Sequence, residues 1–152
     1  MAEPAPVTVS SEEFLAMGRK VLAEQPFSVL LGAELSALSP GRVTLELPLR
    51  AALRQQNGFA HGGVVSYLAD NALTYAGGTA LRVPVVTSEF KINYARPALG
   101  VRLVARAEAI AVGGSQAVCR CDVFAVTDDG SEKLVAAAQG TIVRLGDAKA
   151  QT

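Results

Sequence analysis

A chain of 152 residues is the length of one domain and can bury about two-thirds of its unfolded surface. Half of the residues are hydrophobic, and 14 basic residues balance 14 acidic ones. That composition excludes a disordered polyelectrolyte and offers no electrostatic footprint for nucleic acid. Residues 1–14, MAEPAPVTVSSEEF, carry neither a basic n-region nor an apolar h-region, so no signal peptide is expected.

From the N-terminus, the first element predicted is a helix over residues 11–24. Ser10 and Glu13 form a capping-box pattern, and Pro26 sets the far limit. Phe14, Met17, Val21 and Leu22 recur at helical spacing and are expected to form the stripe that faces the body of the domain. The stretch VLLGAELSALSPGRVTLELPL reads as two strands joined at Ser39-Pro40-Gly41, since Pro-Gly is a strong turn signal. In the second of them Val43, Leu45 and Leu47 alternate with Thr44 and Glu46, the pattern of a half-buried strand.

Next comes QQNGFAHGGVVSYLADNALTYAGG, residues 55–78, which holds the only histidine, His61. A helix is predicted from near Gly62. Residues 64–81 are apolar nearly all round, so this helix is buried on most faces. Ser66, Asp70, Asn71, Thr74 and Thr79 interrupt the run, which is therefore not a membrane span. Four strands follow, in VVTSEFKINYARP, VRLVARAEAIAV, SQAVCRCDVFAV and KLVAAAQGTIVRL, with turns at Gly113-Gly114 and Asp128-Asp129-Gly130. Phe90, Ile92 and Tyr94 share one side of the first. Residues 1–9 and 146–152 are expected to be flexible, and 1–152 is read as a single domain. A long buried helix with one antiparallel sheet makes an α+β architecture in which the sheet wraps the helix.

Cys119 and Cys121 share a strand face at a spacing that disfavours a disulfide between them. They and one distant histidine are too few ligands for a metal site. They read as buried thiols, and the cytoplasm is the expected compartment.

The chemistry concentrates on Asp70. Gly63, Ser66, Tyr67, Thr74 and Gly77 share its helix face, a small or hydroxylated strip that another backbone or a ligand could approach. A carboxylate inside a buried helix needs partners. It either bonds Ser66 or Thr74, or an arginine, as a structural group, or it serves as base or nucleophile in a cleft. His61-Gly62-Gly63 at the helix start favours the second reading, because free N–H groups at a helix N-terminus stabilise developing negative charge. Asp70 lies eight residues beyond Gly62, about 12 Å along the helix, too far for both to act on one carbonyl. If both act, they meet across a two-fold dimer interface.

The segment from His61 to Ala72 resembles the His-Gly-Gly-x-x-x-x-Leu-x-Asp-x-Ala motif of hotdog-fold acyl-CoA thioesterases of the PaaI-like branch. The strand ending at Tyr94, with Arg96-Pro97 after it, is also similar to that family. The resemblance covers most of the chain and implies a long central helix wrapped by a five- or six-stranded antiparallel sheet. It implies hydrolysis of an acyl- or arylacyl-CoA, with coenzyme A as part of the substrate and neither cofactor nor metal. It implies a homodimer with active sites at the interface, or a homotetramer built from dimers; the balanced charge and the interrupted apolar run lead to no expected nucleic-acid or membrane partner. Asp70 matches the catalytic carboxylate, as base or nucleophile. Gly62 matches the backbone donor to the thioester oxygen, and His61 the residue that orders its turn. Thr87 matches a hydroxyl residue that holds the nucleophilic water. Where many relatives carry Asn six residues before the histidine, this chain has Gln55, and Asn57 lies four before; register favours Gln55, and Asn57 stays open. Gly63, Ser66 and Thr74 are expected at the substrate, and Lys91, Arg96 and Arg102 are candidates for the coenzyme A phosphates. The rival readings are a hotdog module that binds acyl-CoA without turnover and a hydratase or dehydratase on the same fold.

Overall fold

The computed structural model describes residues 9–146; the expected flexibility of the two ends falls almost wholly outside them. Helix α1 (Ser11–Ala23) starts on the predicted capping box. The Glu13 N–H donates to Ser10 Oγ at 3.2 Å, and the Ser10 N–H donates to Glu13 Oε2 at 2.9 Å. Its inward stripe differs from the expected one. Gly18 and Leu22 are buried, whereas Met17 and Val21 are 59% and 51% exposed. Gly18 decides this: a Cβ there would sit 2.4 Å from the Leu38 side chain, so the helix rests on its glycine.

Residues 29–31 do not belong to a strand. They end a second helix, α2 (Pro26–Leu31), which has Pro at its first turn and closes on Gly32 at φ +82°. Pro26 therefore starts a helix as well as ending one, as its fixed φ and missing N–H allow. Strands β1 (Glu34–Ser39) and β2 (Arg42–Pro48) flank the predicted Pro-Gly turn. After a short 3-10 turn, helix α3 (Gly62–Leu81) runs 20 residues, about 30 Å. Strands β3 (Val85–Tyr94), β4 (Arg102–Val112), β5 (Gln116–Val126) and β6 (Glu132–Arg144) complete one antiparallel sheet in the order β1-β2-β4-β5-β6-β3.

The sheet wraps α3. Leu68, Ala69, Ala72, Leu73 and Ala76 on the helix are fully buried, as are Leu45, Leu47, Leu103, Ala105, Val123 and Ile142 on the strands. The alanines let helix and sheet approach closely. Gly77 takes this furthest, since a Cβ there would lie 2.5 Å from Ile142 Cβ. Gly77 is thus closed off by β6 and is no part of an open strip beside Asp70. Cys119 and Cys121 are buried and unpaired, and burial pushes their thiols up to about 11 and about 12. Neither is a thiolate at neutral pH, so neither is a nucleophile. Among the described residues no helix is long and apolar enough to cross a membrane.

Two features of β3 position the site. It is the last strand of the sheet, so one of its edges has no partner strand among the described residues. Its pairing with β6 also slips between Thr87 and Glu89. A bulge adds one residue and reverses the alternation of faces. Val85 and Thr87 point inward before it, and Phe90 and Ile92 point inward after it.

Candidate active site

The first turn of α3 is built by His61 and two glycines. His61 is the N-cap, extended at φ −60° and ψ 136°, and its Nδ1 accepts the Gly63 N–H at 2.9 Å. With Nδ1 an acceptor, the proton of the neutral ring sits on Nε2. The His61 carbonyl accepts from Val64 at 2.9 Å, and the His61 N–H donates to Leu53 O at 2.9 Å. The Gly62 N–H donates to no described group. Gly62 lines a cleft of about 390 Å³ together with Gln55, Phe59, Val65, Tyr94 and Arg96, among others.

Gln55 and Asn57 separate here. Gln55 lines the cleft, and its Oε1 accepts the Asn57 N–H, which leaves the amide nitrogen to face a ligand. Asn57 is exposed in the turn and does not line the cleft. Gly63 lies beside the His61 ring, where a Cβ would come within 3.0 Å of Nδ1. A side chain there would disturb the cap before it met any ligand.

Two turns further on, Asp70 is half-buried. Its Oδ1 accepts the Thr87 hydroxyl at 2.7 Å. Thr74 Oγ1 lies 2.9 Å from Thr87 Oγ1 and donates to the Asp70 carbonyl at 2.9 Å. The bulge in β3 is what turns Thr87 toward this carboxylate. Asp70 Oδ2 accepts from no described group, and no described cation lies within ion-pair distance. One oxygen is anchored and the other is free, the arrangement of a carboxylate able to take a proton from a neighbouring water. The arginine pairing considered from the sequence does not occur, and Ser66 makes no side-chain hydrogen bond among the described residues.

Thr74 also borders an apolar groove of about 450 Å³ between α1 and α3, with Met17, Val21, Asn71, Val83 and Val85 among its walls. The exposed side chains of α1 that looked misplaced are thus walls of this groove. A polar cluster that the sequence did not disclose closes its side. The Ser28 hydroxyl donates to Gln25 Oε1 at 2.6 Å, Tyr67 OH donates to Ser28 Oγ at 2.6 Å, and Asn71 Nδ2 reaches Tyr67 OH at 3.1 Å. These residues are up to 46 positions apart, so no local spacing announces them.

The positive candidates do not converge. Arg96 lines the Gly62 cleft and donates to Leu134 O at 2.6 Å. Lys91 is exposed on β3 and lines neither cleft. Arg102 is drawn to Glu46 at 3.3 Å. No group of His, Cys, Asp and Glu among the described residues could hold a metal ion. The structure therefore gathers Asp70, Thr74 and Thr87 at one place, and His61, Gly62, Gln55 and Arg96 at another. Within one chain the two groups remain apart.

The sequence profile of the thioesterase superfamily matches residues 57–131, from the turn before α3 to the start of β6. A thioesterase family protein from Silicibacter pomeroyi, of known crystal structure, is 39% identical. That match covers 82% of this chain and 93% of the other, with a TM-score of 0.77. The chain belongs to the thioesterase superfamily. It is a PaaI-like hotdog protein within it. A mutant of the phenylacetic acid degradation protein PaaI from Thermus thermophilus is 36% identical over 80% of this chain and all of that one, with a TM-score of 0.69. The PaaI protein of E. coli, at 23% identity and a TM-score of 0.77, covers 90% of this chain and 97% of its own and agrees in fold. Membership of this superfamily makes the protein a hydrolase of the thioesterase type. The motif that suggested it, His61 to Ala72, lies inside the matched segment.

Proposed function

We propose that this thioesterase hydrolyses the thioester of an acyl- or arylacyl-CoA to the free acid and coenzyme A. We place its two active sites between two copies of the chain. The observation that carries this reading is the pairing of a half-anchored carboxylate with a free helix N-terminal N–H on the same helix, about 12 Å apart. Asp70 Oδ2 takes a proton from a water that the Thr87 and Thr74 hydroxyls help to hold. The water oxygen bonds to the thioester carbon as the carbonyl pair moves to oxygen, where the partner's Gly62 N–H meets it. Collapse of that intermediate breaks the C–S bond. The coenzyme A thiolate leaves and is reprotonated by the Asp70 carboxylic acid or by solvent.

The unpaired edge of β3 supports the dimer. Ten residues of exposed strand edge are a ready template for another strand. Two β3 edges meeting about a two-fold axis would lay the α3 helices antiparallel and bring Asp70 of each toward the first turn of the other. The groove beside Thr74 suits the acyl group. Gln55 and Arg96 at the Gly62 cleft suit the thioester and the phosphates of coenzyme A, with Lys91 on the strand edge as a further cation. The two buried, unpaired thiols fit the cytoplasm.

A panel of thioesters tests the reaction class. The expected result is thiol release from medium-chain and phenylacetyl thioesters of coenzyme A, exceeding release from acetyl-CoA, because only the larger groups fill the apolar groove. Tight binding without thiol release would make the protein a binding module, and water addition to an enoyl-CoA without thiol release would make it a hydratase.

A further inference from the structure

We infer that Tyr94 is a positioning residue for the oxyanion turn, acting through the peptide that joins Gly62 to Gly63. The inference rests on the reading of the Gly62 N–H as the oxyanion donor and adds the group that holds this donor still. Two consecutive glycines are the most mobile pair a chain can place at a helix start, yet an oxyanion donor works only if it is fixed before the reaction. The structure supplies the restraint from both sides of one peptide plane. The carbonyl of Gly62 accepts the Tyr94 hydroxyl at 3.1 Å, and the N–H of that same peptide, on Gly63, is held by His61 Nδ1 at 2.9 Å. The preceding peptide, which carries the Gly62 N–H, is held through the His61 carbonyl by Val64. Both dihedrals of Gly62 are thereby fixed. The ring of Tyr94 adds a wall, since three of its atoms lie 3.7 Å from where a Gly62 Cβ would be.

Tyr94 can do this because of where β3 places it. It is the last residue of the edge strand, paired opposite Ala136, on the same side of the pleat as Phe90 and Ile92. Those two pack on the core, while Tyr94 extends past the start of α3 and remains 55% exposed. A buried structural tyrosine would not leave so much of its ring in the cleft. The same edge is the one proposed to pair with the partner, so strand pairing would also steady the clamp.

The test is Tyr94→Phe, which keeps the ring and removes only the hydroxyl, at a site exposed enough for the fold to tolerate it. Steady-state kinetics are read beside amide exchange of Gly63 in glycine-labelled protein. The expected result is a kcat lower by about 3–10-fold, the range of one neutral hydrogen bond, with KM little changed, and Gly63 exchange faster by a similar factor. Unchanged exchange, with or without a fall in kcat, overturns the clamp. Faster exchange with unchanged kcat overturns the positioning role while leaving the clamp as a feature of the fold; if Gly62→Pro is then also fully active, it is the oxyanion reading itself that has failed.

Discussion

Asp70→Asn lowers kcat by about 10²–10⁴-fold, the contribution of a positioned general base, and leaves the protein folded. The structure explains why the two effects separate. Asn has the shape of Asp, and its amide oxygen can take over the Thr87 hydroxyl now bonded to Oδ1. No described cation is left unpaired, since Asp70 takes part in no ion pair among the described residues. Only the free oxygen is lost, replaced by a nitrogen that cannot accept a proton. If Asp70 were a structural group, the same change would lower stability and spare turnover. Steady-state thiol release and thermal unfolding of the one variant decide between these. Near-normal turnover removes Asp70 from the mechanism.

The proposed oxyanion donor is a backbone atom, and one substitution removes it while respecting the helix. Gly62 is the first residue of α3, the position where proline is best tolerated, because its missing N–H would be unpaired there in any case. The residue before a proline must be extended, and His61 already is, at φ −60° and ψ 136°. Gly62→Pro is therefore expected to fold and to lower kcat by about 10²–10³-fold, the effect of one lost oxyanion-hole donor. Gly62→Ala is the control for bulk. It keeps the N–H, and its Cβ meets the Tyr94 ring at an ordinary 3.7 Å. An alanine variant as impaired as the proline variant would show that space beside Tyr94, rather than the donor, limits the reaction.

The parts of this fold legible in the sequence are those set by local rules. The capping box of α1, the Pro40-Gly41 turn, the length of α3 and the alternation in β2 each follow from neighbouring residues. Helical spacing also made Thr74 legible beside Asp70, whereas Gly77, expected on the same strip, is closed off by Ile142 of β6. What was not legible depends on distant contacts. Residues 29–31, Val-Leu-Leu, are aliphatic enough to pass for a strand, and only their docking as α2, with Ser28 joined to Tyr67 and Gln25, makes them a helix. Met17 and Val21 looked like core because helical spacing cannot tell a stripe that packs on β1 from one that lines a groove. The bulge in β3 left no local mark. Without it, Thr87 would lie on the face opposite Phe90 and could not reach Asp70, so its position was legible only through family resemblance. Tyr94 was visible as a strand residue, but its hydrogen bond to Gly62 spans 32 positions and needs the fold to be seen.

The division of the site between two chains is tested most directly by mixing the two inactive variants. Asp70→Asn and Gly62→Pro are combined in equal amounts, dissociated and allowed to reassociate. If each site takes Asp70 from one chain and Gly62 from the other, half of the dimers are hybrids. Each hybrid carries one intact site of two, so activity should return to about one quarter of the wild-type value. Activity no greater than the sum of the two variants alone, with subunit exchange confirmed by mass spectrometry of the intact hybrids, would contradict the shared site.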